Sequence, residues 1–233
     1  MQNPISTYVL KGKKHANPKE LQPIYDQAFK SWHETWELTY KNDFHSDKDL
    51  FSDEFTRQDD ILILMYHGEC AALCFFSHVN LEDFSAGLDS YFSCWPAKAR
   101  TGLCLHGSEV IICSQFTVME NFRREGPAEM DNAPWKILLM GMLSKYFLHS
   151  KKPAMTGTMR VNKGMGKLTA LFGTVPLIEN MEYQAGKDLT LVDLVAFYQE
   201  NVARAYGDNP VSSKMDDLWE SRNRIERRLK LVA

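Results

Sequence analysis

The feature that most constrains the fold is an apolar strand that runs directly into a charged, glycine-containing loop. Residues 108–118 form the strand-like run, and the loop Arg123-Arg124-Glu125-Gly126-Pro127-Ala128 follows it. Beyond the loop, apolar residues recur at helical spacing between Asp131 and Ser150. A strand, a glycine turn and a helix start bring backbone N–H groups together, and such groups bind phosphate oxygens well. The sequence therefore predicts an anion-binding turn at one edge of a sheet.

Further strand and helix signals precede this segment. Residues 5–10 predict a first strand, and residues 61–66 and 69–76 predict a hairpin joined by His67-Gly68. Asn17 is the expected N-cap of the first helix. The apolar face of that helix comprises Leu21, Tyr25, Ala28, Trp32 and Trp36.

Elements of the same kinds follow the helix that ends near Ser150. Residues 155–161 alternate as a half-buried strand does, and residues 163–172 predict a short helix ended by Gly173. The patterns at 190–193 and 213–216 resemble capping boxes, and they predict two C-terminal helices. These elements predict an α+β fold.

Length and composition favour one domain. A chain of 233 residues with 44% hydrophobic content buries one substantial core. We therefore expect a single domain over residues 1–233, with residues 80–107 as an insertion and residues 188–233 as a helical C-terminal extension. The insertion carries Tyr91, Phe92 and Trp95 close together.

Charge and cysteine usage exclude several classes of protein. The net charge of −3 and pI of about 6.2 give no nucleic-acid-binding surface over the whole chain. Five cysteines without paired spacing indicate reduced thiols, and the histidines form no zinc pattern, so no metal is expected. With no apolar leader and no apolar run of membrane length, we expect a cytoplasmic protein without a membrane span.

The last helix is expected to carry a basic cluster. The cluster comprises Arg222, Arg224, Arg227, Arg228 and Lys230. It is either a solvated helix face or a docking patch for an acidic partner.

Two motifs and their order resemble the GNAT acyltransferase superfamily. Val118 closes a strand, and the loop from Arg123 to Ala128 matches the family's Arg/Gln-x-x-Gly-x-Gly/Ala signature. A later family element, an Asn-x-x-small-x-x-Leu helix start, resembles Asn162, Met165 and Leu168 here, with Gly173 at the end. The resemblance covers roughly residues 61–173.

The resemblance implies a mixed, mostly antiparallel central sheet that is splayed at an acyl-CoA site. Helices would cover both faces, and two extra helices would follow at the C-terminus. Acyl-CoA would be a co-substrate, with no permanently bound cofactor. Gly126, free to adopt a positive φ, would let a phosphate approach closely. The implied co-substrate contacts are Thr117, Val118 and Met119 on the strand, Arg123, Arg124, Gly126 and Ala128 in the loop, and Asn162.

This sequence departs from the family's pattern at two positions. Pro134 lies six residues beyond Ala128, so either the loop is longer than usual, with Asn132 as the helix N-cap, or the helix kinks. Thr169 stands where the family often has a tyrosine that protonates the leaving thiolate. A thiol with a pKa near 8.5 leaves fairly well without that acid.

Acyl transfer to an amine requires a neutral amine, since a protonated alkylamine has a pKa near 10. A side chain that accepts the proton therefore helps. Glu109, at the start of the strand, is the first candidate for this base, followed by Glu69 and His106. A backbone N–H on a bulged strand is the candidate donor to the developing oxyanion.

Three functions stay open at this stage. The first is transfer of an acyl group from a CoA thioester to a small-molecule amine by direct attack. The second is a long-chain N-acyl amino acid synthase that takes its acyl group from acyl carrier protein, whose acidic surface would suit the basic C-terminal cluster. The third is an acyl-CoA-binding sensor without catalysis. The identity of the amine, the acyl length and the oligomeric state are not specified by the sequence.

Overall fold

The computed structural model describes residues 4–45, 49–185 and 188–224. The described strands are β1 Ile5–Leu10, β2 Asp60–Tyr66, β3 Glu69–Asn80, β4 Glu109–Val118, β5 Ala154–Arg160, β6 Val175–Ala185 and β7 Asp188–Tyr198. The described α-helices are α1 Gln22–Asp43, α2 Asp53–Thr56, α3 Ala97–Leu103, α4 Trp135–Ser150, α5 Met165–Ala170, α6 Gln199–Gly207 and α7 Ser212–Glu220. Short 3-10 turns connect several of them.

The strands form one seven-stranded sheet in the order β1-β2-β3-β4-β5-β7-β6. Neighbouring strands are antiparallel except for β4 and β5, which run parallel. This mixed, mostly antiparallel sheet with helices on both faces confirms the expected fold class.

Apolar side chains cover each face of the sheet. On one face α4 packs with α6 and α7, and Leu138, Met142 and Met215 lie in that core. On the opposite face α1 covers β2 and β3 through Tyr25 and Trp32. Beside α1, on the same face, the insertion covers β4, β5 and β7. The members of that third cluster include Phe92, Trp95 and Leu103 from the insertion and Val110, Ile112, Ala154 and Leu194 from the sheet.

The hairpin between β2 and β3 is confirmed, with His67 at φ 49° and Gly68 at φ 86°. The apolar face of α1 is also confirmed, with Leu21, Tyr25, Ala28 and Trp32 buried. Asn17, however, does not cap the helix. Its side chain instead accepts a hydrogen bond from Lys11 N at 2.7 Å and donates to Lys11 O at 2.8 Å, which fastens the end of β1.

The C-terminal region departs from the expectation. Residues 190–193 lie inside β7, so they open no helix, and the first eleven described residues of the expected helical extension form a strand. Two helices, α6 and α7, do follow β7, and residues 213–216 lie in the second of them. Of the basic cluster, Arg227, Arg228 and Lys230 lie outside the described residues. No helix in the described part of the chain has the length and apolar character needed to cross a membrane.

Candidate active site

The central feature of the sheet is a gap between β4 and β5. These parallel strands pair only at Val110–Ala154, Ile111–Met155 and Ile112–Thr156. Beyond these three pairs β4 continues along β3 and β5 continues along β7, and the two strands separate. Because both strands run in the same direction, the gap lies towards their carboxyl ends. The loops after Val118 and Arg160 therefore flank its mouth.

A β-bulge lies in β4 beside the gap. Phe75 faces Ser114 and Leu73 faces Thr117, so Gln115 and Phe116 together oppose the single residue Cys74. Gln115 has a φ of 48°, a left-handed conformation that is uncommon for a residue with a side chain. The bulge interrupts the hydrogen bonding between β4 and β3 at residues 115–116, beyond the last residue pair that joins β4 to β5.

The side chain of Gln115 is held by the layer formed by α1 and α2. Its Oε1 accepts a hydrogen bond from Trp32 Nε1, and its Nε2 lies 3.4 Å from Glu54 Oε2. Glu54 is a largely buried carboxylate, 8% exposed. The bulge thus places the Gln115 amide beside the Glu54 carboxylate, on the face of the sheet that α1 and α2 cover.

A second polar contact joins α1 to β4 next to the bulge. Trp36 Nε1 donates to Thr117 Oγ1 at 3.0 Å, and the same hydroxyl donates to Gln115 O at 2.6 Å. Both tryptophans of α1 therefore place their indole N–H groups on the strand that lines the gap. These contacts fix the distance between α1 and β4.

Tyr91 forms the floor of the gap on the insertion side. Its hydroxyl lies 3.3 Å from Thr158 Oγ1, in the half of β5 that has left β4. Burial raises the pKa of the Tyr91 hydroxyl above its usual value, so the hydroxyl stays neutral and, while accepting from Thr158, keeps its own proton. It can orient a bound group but does not act as a base.

An ionic contact joins α1 to the end of β5 on the same face. Asp43 accepts from Arg160 Nη1 at 3.1 Å and from Lys163 Nζ at 2.9 Å, and Phe44 lies under the Arg160 guanidinium, 4.5 Å from it. Burial raises the pKa of Asp43, but its bonds and charge interactions with Lys163 and Arg160 outweigh burial and leave the pKa lowered. Two cations, Arg160 and Lys163, thus share one carboxylate at the carboxyl end of β5.

Of the three strand residues expected to contact the co-substrate, Val118 faces the gap. Met119 N donates to Ala71 O on β3 at 2.9 Å, and successive residues of a strand direct their N–H and C=O groups to opposite edges. The polar backbone groups of Thr117 and Met119 therefore point to β3, and those of Val118 point to β5. The Thr117 side chain is buried under Trp36, and the Met119 side chain is buried as well.

Arg123 connects the loop to the strand. Its Nε donates to Val118 O at 3.1 Å, so this exposed arginine lies at the mouth of the gap. Arg124 and Ala128 are also exposed in the loop after β4, and Asn162 is exposed in the 3-10 turn after β5. The loop after β4 and the turn after β5 thus flank the mouth from opposite sides. The expected contacts of these residues with the co-substrate stay predictions.

Gly126 has another role than the one expected. Among the described residues, the glycines with positive φ are Gly68, Gly107, Gly164 and Gly173, so the expected positive φ of Gly126 is wrong. A Cβ on Gly126 would instead lie 1.9 Å from Ala133 O. The glycine is needed because the loop folds back onto the backbone that leads into α4.

The start of α4 shows which of the two alternatives for Pro134, a longer loop or a kinked helix, is correct. The helix begins at Trp135 with Pro134 in an extended conformation before it, so the loop is long and the helix does not kink at the proline. Asn132 is not the N-cap; it and Asp131 adopt left-handed conformations with φ of 58° and 54°. Sixteen residues of loop and short turns (119–134) thus separate β4 from α4.

The three candidate bases do not come together at the gap. Glu109 begins β4 and forms an exposed ion pair with Lys152 at 2.8 Å. His106, three residues before the first residue of the strand, lies exposed with its ring 4.8 Å from that of Tyr198. Both lie at the opposite end of β4 from the mouth. Glu69 is exposed at the start of β3, at the mouth end. Their catalytic roles stay predictions, and the position of Glu54 makes it the better candidate.

Thr169 does not substitute for the tyrosine acid. It is fully buried in α5, and its hydroxyl donates to Gly166 O at 3.1 Å. Among the described residues no group of three or more His, Cys, Asp or Glu side chains is arranged to hold a metal ion, and the five cysteines are free thiols.

Sequence reasoning missed Gln115, Glu54, Tyr91 and Arg160 as site residues. Gln115 carried a weak signal, since a polar residue within an apolar strand is a candidate bulge position. The others lie far from β4 in the chain, and only the packing of α1, α2 and the insertion brings them to the gap.

Comparisons with known proteins identify the architecture. No family model matches the chain, and no curated protein matches its sequence. The CoA-dependent acyl-homoserine lactone synthase BjaI, solved with SAM and isopentyl-CoA, superposes with a TM-score of 0.55 at 11% identity, covering 91% of this chain and 99% of that one. For an N-acetyltransferase from Staphylococcus aureus Mu50 the TM-score is 0.51 at 8% identity, over 84% and 99% of the chains.

A third solved structure is FeeM, an N-acyl amino acid synthase from uncultured soil microbes. Its TM-score is 0.50 at 9% identity, and the match covers 91% of this chain and 98% of FeeM. All three similarities extend over nearly the whole of the compared chains, although identity is low. The parted parallel strands, the bulge beside them and these similarities together show that this chain has the fold of the GNAT acyltransferases.

Proposed function

We propose that the chain is an acyltransferase that moves an acyl group from a thioester to an amine by direct attack. The observation that carries the proposal is the gap between β4 and β5, which begins after three residue pairs and lies beside a bulge. A thioester arm would enter between the strands and pair with Val118, whose polar backbone groups face the gap. The amine would approach on the face shared by α1 and the insertion.

The residues around the bulge supply what the reaction needs. Attack of the amine puts negative charge on the thioester oxygen, and a backbone N–H freed by the bulge at Gln115 or Phe116 would stabilise it. Glu54, beside Gln115, would accept the proton of the amine. Thr169 is buried in α5, and the thiolate would leave without an acid because a thiol with a pKa near 8.5 is already a fair leaving group. Direct transfer uses no enzyme nucleophile.

Release of free thiol from thioesters tests the proposal. The protein is incubated with acetyl-CoA, hexanoyl-CoA and lauroyl-CoA, and with the same acyl groups on acyl carrier protein, in the presence of amines. Chromatography then measures free CoA or carrier and the acylated amine. We expect equal amounts of thiol and amide. Tight binding of a thioester with no amide formed from any amine would contradict transfer and support the sensor function instead.

A second candidate function is the synthesis of N-acyl amino acids. The observation in its favour is the pair of cations at the carboxyl end of β5, where Arg160 and Lys163 share the single carboxylate of Asp43. A cation there suits an amine that also carries a carboxylate. Tyrosine compared with tyramine, and leucine compared with isopentylamine, tests this: we expect kcat/KM to be at least tenfold higher for the amino acids. Equal values for each pair would favour a simple amine acceptor.

A further inference from the structure

A second cavity lies within the insertion, away from the gap. Its volume is about 500 Å³, within the range of small-molecule sites. Leu81, Ala86, Phe92 and Leu105 give it an apolar lining, which Thr101 and Cys104 complete. Arg100 supplies the single charged side chain of the lining.

Three aromatic rings separate this cavity from the gap. Phe92 lines the cavity and is fully buried. Its ring lies 5.1 Å from that of Tyr91, the floor of the gap, and 5.3 Å from that of Trp95. Arg100 holds this segment by donating to Phe92 O at 3.0 Å and to Trp95 O at 3.3 Å. The cavity is therefore a compartment of its own, reached from the solvent side of the insertion.

The surroundings of the cavity are unusually apolar for a surface. Leu105, in the lining, is 68% exposed, and Phe84 and Leu88, which flank Ala86 in one 3-10 turn, are 87% and 75% exposed. Large apolar side chains this exposed on one short segment indicate a binding surface when they adjoin a cavity. An apolar ligand seated in the cavity would remove part of this surface from water.

We propose that the cavity binds the hydrocarbon chain of a fatty-acyl amphiphile, in a site distinct from the gap. The apolar lining suits the chain, and the opening to solvent leaves an attached polar head in water. Arg100 is the one charged group in the lining, so a carboxylate or another anionic head is favoured over a cationic one. The chain can belong to a free fatty acid, to a thioester or to an acylated amine, since all three present the same hydrocarbon.

Cys104 reports on occupancy because it lines the cavity while Cys94 does not. Both thiols reach the surface, whereas Cys70, Cys74 and Cys113 are buried. Burial, followed by the charge of Glu82, raises the pKa of Cys104, so alkylation is measured at alkaline pH, where more of the thiol is ionised. Mass spectrometry of peptides gives the alkylation rate of Cys104, with Cys94 as the internal reference.

The probes are octanoate, decanoate and dodecanoate, then lauroyl-CoA and N-lauroyl-tyrosine, each below its micellar concentration. We expect slower alkylation of Cys104 and an unchanged rate at Cys94. Affinity should rise about fourfold for each added methylene, which corresponds to about 0.8 kcal/mol. If the free acids slow alkylation of Cys104, the site accepts any fatty-acyl chain. If only lauroyl-CoA or only N-lauroyl-tyrosine slows it, the site is specific for the acyl donor or for the acylated amine, respectively.

A pair of variants on α3 completes the test. Thr101→Trp fills the cavity from its exposed side and should abolish protection by dodecanoate, whereas Lys98→Trp, on the exposed surface of the same helix, should not. Equal slowing at Cys104 and Cys94, no slowing with any chain, or full protection in Thr101→Trp would each overturn the proposal. This test does not use the thiol-release assay. A negative result here therefore leaves the proposed acyl transfer untouched, and a negative thiol-release result leaves the proposed chain-binding cavity untouched.

Discussion

At the scale of single residues, the backbone of Gln115 determines the site. A residue with a side chain at a φ of 48° costs on the order of 1 kcal/mol or more, and such strain persists where the surroundings hold it. Trp32 and Glu54 provide that support through the Gln115 amide. The bulge then frees backbone groups of β4 at the level where the strand faces the gap.

The first prediction concerns the proton acceptor. Glu54→Gln should lower kcat/KM at pH 7 by roughly a hundredfold, the lower end for general-base catalysis, because an amide cannot take the proton of the amine. The loss should shrink as the pH rises, since more of the amine is then neutral.

Glu109→Gln is the matched control for Glu54→Gln, because it makes the same change in an exposed carboxylate paired with Lys152. We expect its activity to stay within about twofold of the wild type, as a surface ion pair contributes little. Steady-state rates from pH 6 to about 10 decide between the two positions. A hundredfold loss in Glu109→Gln with none in Glu54→Gln would restore Glu109 as the base.

The second prediction concerns the strand edge that faces the gap. Val118→Pro removes the N–H of Val118, which β3 does not use, and proline is tolerated where a strand directs that group away from its partner. One lost hydrogen bond to the thioester is worth about 0.5–1.5 kcal/mol, so the Kd for the donor should rise about threefold to tenfold. Isothermal calorimetry measures it.

Met119→Pro provides the contrast to Val118→Pro. It deletes the N–H that bonds Ala71 O, and we expect a marked loss of stability in chemical unfolding. If Val118→Pro lowered the stability markedly and Met119→Pro left it unchanged, the assigned direction of the strand's polar groups would be wrong.

At the scale of elements, the sequence predicted β1 with its observed ends, β4 to within one residue at its start, and the face of α1 that is buried. These segments have regular apolar periodicity over their length. The hairpin of β6 and β7 was missed because β6 contains Pro176 and a left-handed Asn180, and its pairing shifts register twice. Asp193 was expected to cap a helix. In the structure its carboxylate instead accepts a hydrogen bond from the N–H of Asn180 on the neighbouring strand β6, at 2.9 Å.

The third prediction concerns the loop between β4 and α4. Gly126→Ala places a methyl group 1.9 Å from Ala133 O, so the loop must move, at about 1–3 kcal/mol. We expect a lower free energy of unfolding together with weaker binding of the thioester. Gly207→Ala is the control, since a Cβ there meets nothing within 4 Å and its stability should be unchanged or higher.

Urea unfolding and calorimetry on both glycine variants give the result. Weaker binding in Gly126→Ala with unchanged stability would mean that the glycine serves the ligand and not the backbone of residues 132–133.

At the scale of the whole molecule, one carboxylate links β2 and β3 to helix α4 and to the residue that follows β1. Asp60, at the start of β2, accepts from Lys11 Nζ at 2.7 Å and from Tyr146 Oη of α4 at 2.7 Å, and His78 of β3 lies 3.6 Å away. Burial raises the pKa of Asp60, but hydrogen bonds from His78, Lys11 and Tyr146 outweigh it and leave the pKa lowered.

The fourth prediction follows from that lowered pKa. An unfolded Asp has a pKa of about 3.9, so Asp60 contributes stability above that pH and loses it as the pH falls through its lower folded pKa. Asp60→Asn should therefore destabilise the protein by about 2 kcal/mol at pH 7, and the difference from wild type should shrink below pH 4.

Asp26→Asn is the control for Asp60→Asn, because Asp26 pairs with Lys14 at the surface with 58% of its side chain exposed. We expect a change within about 1 kcal/mol at either pH. Urea unfolding at pH 7 and pH 3 measures all three proteins. A difference between Asp60→Asn and wild type that grew on acidification would contradict the direction of the pKa shift.

The sequence thus predicted an α+β fold and the strand β4 that lines the site, but it predicted neither the β6–β7 hairpin nor the side chains that α1, α2 and the insertion bring to the gap. Val118 and the loop arginines follow their strand in the chain, so local pattern located them. Glu54 reaches Gln115, Tyr91 reaches Thr158, and Arg160 reaches Asp43 only through tertiary packing, since the members of each pair lie far apart in the chain.

The narrow pairing of β4 with β5 has a mechanical consequence. Within the sheet, three residue pairs connect the four strands on one side to the three on the other. Tension across this joint would break the pairs one after another, whereas tension along the strands would load all three together. A thioester arm held between β4 and β5 would add hydrogen bonds to the backbone at the place where the fewest residue pairs join neighbouring strands. In single-molecule pulling experiments, the substrate would then act as a structural part of the protein that raises the rupture force.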